Sequence, residues 1–228
     1  MYTLISENDD FIVIDKNQGV DFHTSADSES LINYVREKEK KKNLFPVHRL
    51  DRMTSGLILF AKSKEAASGL SLLFQDRKIE KYYLALSDKK PKKSQGLISG
   101  DMERGRRGAW KLLRTKDNPA QTRFFSKSCG GGLRLFILKP LTGKTHQLRV
   151  ALKSIGSPAL GDPLYYRGES NKYDRGYLHS YALRFDYLST SYCFVSVPDK
   201  GILFNEERFV SALENFKEPW LLKWPGSA

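Results

Sequence analysis

The sequence has 228 residues, of which 40% are hydrophobic and 28% are charged, a composition typical of a globular protein with a core. It excludes a chain that is disordered throughout. The longest strongly apolar run, Gly56–Ala61, is far shorter than the roughly 18 residues of a membrane-spanning helix, and the acidic N-terminus is unlike a signal peptide. Cys129 and Cys193 lie far apart without metal-ligand spacing, which argues against a disulfide scaffold and a zinc site. We therefore expect a cytoplasmic protein with no membrane-spanning helix and no metal site.

The positive charge of the chain is concentrated in one stretch. The formal net charge is +12, and the segment from Arg77 to Lys127 contains fifteen basic and five acidic residues. A basic block of this kind is typical of a surface that binds a polyanion. RNA, DNA and an acidic membrane surface are all compatible with it, and so is a solvated surface that only keeps the protein soluble.

In the first part of the chain, the hydrophobic pattern predicts short strands and two helices. The segment 30–42 is predicted to be a short helix with a charged, solvated end. The apolar period from about Lys64 to Arg77 predicts a second helix with Ser63 as its N-cap. Strands are predicted over Phe11–Ile14, Leu57–Ala61 and Ile79–Leu86.

In the second part, the segment 88–118 is rich in Lys, Arg and Gly and is predicted to form short strands joined by exposed loops. Thr145 and Gly156 are placed to cap the two ends of an amphipathic helix, and Asn205 is predicted to cap a last helix. Further strands are predicted over Thr122–Ser126, Leu133–Leu138, Leu178–Tyr187 and Tyr192–Val197, the first two forming a hairpin with a loose glycine-rich loop. Strands outnumber helices without alternating with them, so we predict an α+β fold with a single domain over residues 1–228.

The segment His48–Leu57 reads HRLDRMTSGL and places Asp51 in a loop before a buried strand. A guanidinium beside a carboxylate lowers the carboxylate pKa by about one to three units, so Arg49 and Arg52 would keep Asp51 ionised. An ionised carboxylate on a rigid strand edge can act as a nucleophile. Most neighbouring Asp and Arg residues are instead structural ion pairs on the surface, and the residue types alone favour that interpretation.

The segment Glu80–Leu86 reads EKYYLAL. In a strand, Tyr82, Leu84 and Leu86 share one apolar face, which we predict to pack in the core. Tyr83 is then on the opposite face, where it is available to stack on a base or to take part in proton transfer. A half-buried aromatic residue of the sheet is an equally good interpretation.

The segment Thr142–Val150 reads TGKTHQLRV. On the predicted helix, His146, Arg149 and Lys153 fall on one polar face. The first turn of such a helix offers N–H groups to a phosphate or carboxylate, and Arg149 is a candidate bidentate partner for Asp51. The alternative is a surface helix with a basic stripe.

Together, HRLDRMTSG, EKYYLAL and TGKTHQLRV, with SPALGDPLY downstream, resemble the RluA-type family of RNA pseudouridine synthases. The resemblance extends from Glu7–Lys16 to Leu178–Phe185. It implies a pseudouridine-synthase-like domain built on a mixed, mainly antiparallel sheet flanked by helices, with RNA as the partner and no cofactor. The S4-type RNA-binding domain that often precedes this domain in the family is expected to be absent, because the resemblance begins within the first ten residues.

The resemblance implies that a uridine in rRNA or tRNA is isomerised to pseudouridine. Asp51 would be the catalytic aspartate that attacks the uridine. Tyr83 would stack on the flipped uracil and assist proton removal at C5, while Arg149 would pair with Asp51. Arg49 would help to hold the nucleotide out of its stack. Extruding a base costs a few kcal/mol, which basic and aromatic contacts must offset.

Two positions depart from the pattern of the family, since Lys144 stands for an arginine and Ala151 for a histidine. Lysine keeps the charge but loses the bidentate geometry, so these changes bear on substrate contacts. The residues predicted to contact RNA are Arg49, Lys81, Lys144 and His146 in the motifs, and Lys89, Lys90, Arg104, Arg106 and Arg107 in the basic segment of about 88–118.

Two other functions remain as alternatives at this point. A catalytically inactive RNA-binding protein that keeps the synthase fold is suggested by the altered third motif and opposed by the intact set of Asp51, Tyr83 and Arg149. Binding to DNA or to an anionic surface through charge alone would leave HRLDRMTSG unexplained. We expect the protein to be a monomer.

Overall fold

The computed structural model describes residues 1–22 and 30–226, and within them the chain forms twelve β-strands and four α-helices. The strands are β1 (Tyr2–Glu7), β2 (Phe11–Lys16), β3 (Phe45–Pro46), β4 (Ser55–Ala61), β5 (Glu80–Ser87), β6 (Gln95–Gly100), β7 (Met102–Arg104), β8 (Trp110–Leu112), β9 (Ala120–Gly130), β10 (Leu133–Pro140), β11 (Leu178–Tyr187) and β12 (Thr190–Val195). The helices are α1 (Leu31–Lys38), α2 (Lys64–Gln75), α3 (Gln147–Ser154) and α4 (Glu207–Leu213).

The described residues fall into two compact units. Unit 1 comprises Met1–Lys81 and His179–Val197, and unit 2 comprises Tyr82–Leu178 and Pro198–Ala228. The single domain over residues 1–228 stays a prediction.

The strands of unit 1 form a mixed sheet in the order β1-β2-β4-β11, with β3 paired to β4 and β12 paired to β11. Strand β4 is antiparallel to β2, with Phe11 opposite Ala61, and is parallel to β11. The core on one face of this sheet contains Phe11, Leu57, Leu70 and other apolar residues of β2, β4, β11 and α2. Strand β4 is buried along its whole length and fixes the position of the loop that precedes it.

The parallel contact between β4 and β11 is unusually close. Gly56 lies opposite Ser180 with a φ of 106°, and a Cβ atom built on Gly56 would lie 2.2 Å from the Ser180 carbonyl oxygen. Beside it, the buried His179 donates from Nε2 to the carbonyl oxygen of Ser196 (2.9 Å), and its Nδ1 is 2.7 Å from the Ser55 hydroxyl. The glycine allows the two backbones to approach, and the histidine joins the start of β4 to the end of β12.

Both helices predicted in this region are present. The Ser63 hydroxyl accepts from the backbone N–H of Ala66 (3.0 Å), which confirms Ser63 as the N-cap of α2. Helix α1 is capped by Ser30 and ends at Lys38, so the charged end of the predicted segment 30–42 is not helical.

Unit 2 contains the antiparallel strands β5-β10-β9-β6 and the separate pair β7-β8. Strands β9 and β10 form the predicted hairpin, but the expected loose loop is wrong. Gly130 pairs with Leu133, which leaves a two-residue turn with φ values of 56° at Gly131 and 77° at Gly132. Positive φ at both positions matches the twist of the flanking strands, so the glycines make a tight turn.

Strand β5 differs from its predicted one-sided burial. Residues 82–87 are all buried, because both faces of the strand are covered. The alternation of residue types could not predict that both faces are buried, because Tyr83 and Ala85 on the second face fit a buried or an exposed position equally well.

Two of the predicted helix caps are wrong. Helix α3 begins at Gln147, and its N-cap position is occupied by His146 in a left-handed conformation (φ 56°) instead of Thr145. Asn205 donates its side-chain N–H groups to the carbonyl oxygens of Asp199 and Gly201, so it stabilises the preceding turn and does not cap α4. Gly156 follows α3 as predicted, and its N–H donates to the carbonyl oxygen of Lys153 (3.0 Å).

The predicted α+β class with a mixed, mainly antiparallel sheet flanked by helices is confirmed. In each unit the strands provide the framework, and the helices pack against them: α2 contacts β4 in unit 1, while α3 and α4 contact β9 in unit 2. Over the described ranges, no helix has both the length and the apolar character needed to cross a membrane.

We predict that Gly56→Ala will destabilise the protein by about 3 kcal/mol or more, because the new methyl group meets the backbone of Ser180 and the positive φ is strained for alanine. Gly19→Ala is the matched control. Gly19 also has a positive φ (79°), but a Cβ atom built on it would meet no neighbouring atom within 4 Å, so strain alone should cost about 1 kcal/mol. Urea unfolding measures both losses, and equal losses would contradict the close-contact explanation.

Candidate active site

Asp51 is half-buried in a turn that leads into β4. The backbone N–H of Thr54 donates to the carbonyl oxygen of Asp51 (3.0 Å) and closes this turn. Leu50 and Met53 are buried on either side, whereas Arg49 and Arg52 are both exposed. The turn is therefore attached through its apolar residues and keeps Asp51 between two basic ones.

A buried lysine, which the sequence analysis missed, supports this turn. Lys16 is 0% exposed, and its Nζ donates to the carbonyl oxygens of Asn17 (3.1 Å), Val20 (3.1 Å) and Arg52 (3.4 Å). The N–H of Gly19 also donates to the Arg52 carbonyl (2.7 Å). The ammonium group thus joins the loop after β2 to the residue that follows Asp51.

The signal for Lys16 was present in the strand alternation. Residues 12, 14 and 16 share one face of β2, and Ile12 and Ile14 are fully buried. A lysine on such a face must find acceptors inside the protein, because an unpaired buried charge is very costly.

His48 attaches the other end of the turn. Its Nε2 accepts the backbone N–H of Leu59 in β4 (3.0 Å), and its ring stacks on Phe74 with 4.6 Å between centroids. Desolvation, reinforced by the charge of Lys81, lowers the pKa of His48 from 6.5 to about 3. The imidazole is therefore neutral at physiological pH and serves as an acceptor for the strand.

Lys81, which was predicted to contact RNA, lies against the same aromatic ring. Its Nζ is 5.6 Å from the centroid of Phe74. Desolvation and the charge of Arg77 lower the pKa of Lys81. Its contact with RNA stays a prediction.

In unit 2, Arg149 is buried and paired instead of lying on an exposed basic stripe. It is 4% exposed, and Nε and Nη2 donate to the two carboxylate oxygens of Asp162, both at 2.8 Å. Asp162 is itself fully buried, and its Oδ1 also accepts the N–H groups of Leu164 and Tyr165. This bidentate pair fixes the plane of the guanidinium, and the pairing of Arg149 with Asp51 stays a prediction.

Asp162 and Tyr165 belong to the SPALGDPLY segment and were not singled out by the sequence analysis. Tyr165 is 1% exposed, and the guanidinium carbon of Arg149 lies 5.0 Å from its ring centroid. The Tyr165 hydroxyl is 3.0 Å from Nδ1 of His146. An acidic and an aromatic residue near a basic motif were the available signal, but sequence spacing does not show that they meet Arg149.

Tyr83 lies in β5 opposite Leu138 of β10 and is 8% exposed. It is thus mostly covered, as the sheet-aromatic interpretation expects. Lys144 is half-buried and donates from Nζ to the carbonyl oxygen of Asn118. Its backbone N–H donates to the side-chain oxygen of Gln147 (3.0 Å), which shapes the turn before α3.

The remaining predicted RNA contacts are exposed. Strands β7 and β8 and the turn between them form a hairpin over residues 102–112, called the basic hairpin below. Among the described residues, no hydrogen bond or ion pair engages the guanidinium groups of Arg104, Arg106 or Arg107, and Lys89 and Lys90 are exposed after β5. Residues 1–22 and 30–226 contain no group of three His, Cys, Asp or Glu side chains placed to hold a metal ion. The exposed surface formed by Lys89, Lys90 and the basic hairpin is suited to a polyanion.

The chain is similar to known proteins in both sequence and structure. The model of a family described as RNA pseudouridylate synthase matches residues 10–154. An "Uncharacterized RNA pseudouridine synthase" of Haemophilus influenzae is 52% identical over 198 residues, which cover 87% of this chain and 88% of that protein. Ribosomal large subunit pseudouridine synthase D of Borreliella burgdorferi is 31% identical over 227 residues, which cover 93% of this chain and 68% of that protein. A solved structure, "Human RNA Pseudouridylate Synthase Domain Containing 1", has a TM-score of 0.73 and 27% identity and covers 87% of this chain and 84% of that one. The matched range contains Asp51, Tyr83 and Arg149.

The half-buried, neutral His48 predicts a pH dependence of stability. Unfolding restores a pKa near 6.5, so the unfolded chain binds a proton that the folded chain rejects until about pH 3. The free energy of unfolding should therefore fall as the pH is lowered from about 6.5 towards about 3, with this residue contributing at most about 1.4 kcal/mol per pH unit. In His48→Gln the amide oxygen can accept the Leu59 N–H without titrating, so the decrease should be shallower. Urea unfolding at about pH 7 and about pH 4.5 tests this, and parallel decreases in both proteins would disprove it.

Proposed function

The chain belongs to the RNA pseudouridylate synthase family, a family of isomerases, and we propose that it converts a specific uridine in ribosomal or transfer RNA to pseudouridine. The observation that carries the proposal is the support of the Asp51 turn by the buried Lys16 and the neutral His48. This support holds a half-buried carboxylate between two arginines at the start of β4. The name of the Borreliella relative supports ribosomal RNA as one target class, and we propose a cytoplasmic location together with that substrate.

In the proposed reaction, the uridine is flipped out of its stack and Asp51 attacks the nucleotide. The bond between N1 and C1′ breaks, the uracil turns, and C5 forms the new bond to C1′. The bond between Asp51 and the nucleotide then breaks and returns Asp51 as a free carboxylate. The proton on C5 is lost with assistance from Tyr83, and N1 gains a proton, so the atoms balance without a redox step. No cofactor is required for this sequence of steps.

Arg149 is proposed to keep Asp51 ionised and oriented. Asp162 holds the Arg149 guanidinium in one plane, so Arg149 meets its partner as a pre-oriented cation. Arg49 is proposed to hold the flipped nucleotide. Around them, Lys81, Lys144, His146, Lys89, Lys90 and the arginines of the basic hairpin are proposed to contact the RNA backbone.

We predict that Asp51→Asn will lower tritium release from 5-³H-uridine-labelled ribosomal and transfer RNA by about a thousandfold or more, because the amide cannot act as the attacking group. Asp9→Asn is the matched control. Asp9 is an exposed aspartate in the turn between β1 and β2, and its variant should release tritium at the wild-type rate.

The same experiment separates the proposed enzyme from an inactive RNA-binding protein. If neither wild type nor Asp51→Asn releases tritium from any RNA fraction while both bind RNA, the binding-protein alternative is correct. Equal release from both proteins would show that the reaction occurs but that Asp51 is not the attacking residue.

We predict that the double variant Arg106→Gln, Arg107→Gln will weaken RNA binding and reduce its salt dependence. Each lost phosphate contact on a single strand should lower the slope of log affinity against log salt by about 0.7. Glutamine at Lys200 and Lys217 removes the same charge from two exposed positions outside the proposed surface. Binding titrations at several salt concentrations compare the two, and equal changes in slope would show that net charge alone attracts RNA.

A further inference from the structure

The basic hairpin is anchored beside its turn by one tyrosine. The backbone N–H of Trp110 donates to the Tyr165 hydroxyl (2.8 Å). Trp110 lies opposite Arg104 in the last residue pair before the turn that carries Arg106 and Arg107. The hydroxyl therefore binds the hairpin at the point from which its exposed arginines project.

The ring of the same tyrosine supports Arg149. The guanidinium carbon of Arg149 lies 5.0 Å from the Tyr165 ring centroid, and Nζ of Lys153 lies 5.4 Å from it. A cation at this distance from an aromatic face is attracted by the negative charge of that face. Asp162 accepts from both Arg149 and the Tyr165 N–H, so arginine, carboxylate and tyrosine form one buried group.

The two contacts use different parts of one side chain. The hydroxyl holds a surface element with three exposed arginines, while the ring lies against a buried arginine. Because Tyr165 is 1% exposed and closely packed, its ring and hydroxyl cannot move independently. A displacement of the hairpin at Trp110 is thus resisted by the same residue that packs against Arg149.

We propose that Tyr165 is a positioning residue that fixes the basic hairpin through its hydroxyl and Arg149 through its ring, so that one side chain sets both the RNA-contacting loop and the arginine of the active site. This inference rests on the proposed function for its catalytic consequence. The anchoring of the hairpin is a property of the protein alone and is measurable without RNA.

Tyr165→Phe keeps the ring and removes the hydroxyl, together with its contacts to the Trp110 N–H and to Nδ1 of His146. The lost hydrogen bond to Trp110 should increase the open population of the hairpin about fivefold, the equivalent of about 1 kcal/mol. Trypsin should then cleave after Arg104, Arg106 and Arg107 about fivefold faster, because cleavage follows the open population when opening is rapid. Tyr166→Phe is the matched control, since it removes a neighbouring hydroxyl that donates to Asp88 and does not contact the hairpin.

Activity measurements distinguish the role of the Tyr165 hydroxyl from that of its ring. In Tyr165→Phe, we expect KM for RNA to rise by up to about fivefold while kcat for tritium release stays unchanged, because Arg149 keeps its aromatic neighbour. In Tyr165→Met, which lacks both the hydroxyl and the ring, we expect kcat to fall as well. A higher kcat in Tyr165→Phe than in Tyr165→Met would then show that the ring supports the reaction. Urea unfolding verifies that each variant is folded. If Tyr165→Met does not fold, Tyr165→Phe alone still tests whether the hydroxyl anchors the hairpin.

Each outcome has one meaning. Cleavage of Tyr165→Phe at the wild-type rate would overturn the anchoring, and faster cleavage with an unchanged KM would show that the anchor does not serve RNA binding. Equal kcat values for the Phe and Met variants would overturn the role of the ring. If the wild type releases no tritium, the proposed function fails, whereas the proteolysis result still decides whether Tyr165 holds the hairpin.

Discussion

A charge removed from water must be met by fixed dipoles or by an opposite charge, and each unit of this protein arranges its site residues around one buried cation. In unit 1, Lys16 donates to three backbone carbonyls, one of which belongs to Arg52 beside Asp51. In unit 2, Arg149 pairs with both oxygens of Asp162. Breaking a buried ion pair such as Arg149–Asp162 by removing one partner costs about 3–5 kcal/mol, and a buried ammonium group that loses its acceptors is also very costly, so neither arrangement can loosen without large local disruption. The Asp51 turn and the Arg149 guanidinium are therefore each held in one geometry before any substrate arrives.

This constraint separates two kinds of basic residue that composition alone treats as equal. Lys16 and Arg149 are buried, and they donate hydrogen bonds to oxygens within the protein. The arginines of the basic hairpin are exposed, with guanidinium groups that no described residue engages. Under the proposed function, the buried cations shape the reacting groups while the exposed ones meet the phosphates. Tyr165 is significant because its ring contacts a buried cation and its hydroxyl holds the element that carries the exposed ones.

The strand pattern and the helix period were sufficient to predict β4 and α2 and the capping by Ser63, because these depend on neighbours within a few residues. Local patterns failed where a side chain had a choice between neighbouring partners, or where its partner was distant in the sequence. Asn205 was predicted as a helix cap, yet its side chain satisfies carbonyls of the preceding turn. The motifs pointed to Asp51, Tyr83 and Arg149, but Asp162 and Lys16 were missed, since their importance lies in pairs across 13 and 36 positions of the sequence.

Burial also determines how dissolved salt acts on the protein. At physiological ionic strength the screening length is about 8 Å, and exposed charges are screened far more than buried pairs. The contacts of the basic hairpin with phosphates would thus weaken steeply with salt, because counterions compete for the same groups. The pair of Arg149 and Asp162 is excluded from water, so the same ions leave it nearly unchanged. It follows that, for the proposed reaction, ionic strength changes how often RNA is bound and leaves the geometry that acts on a bound uridine intact.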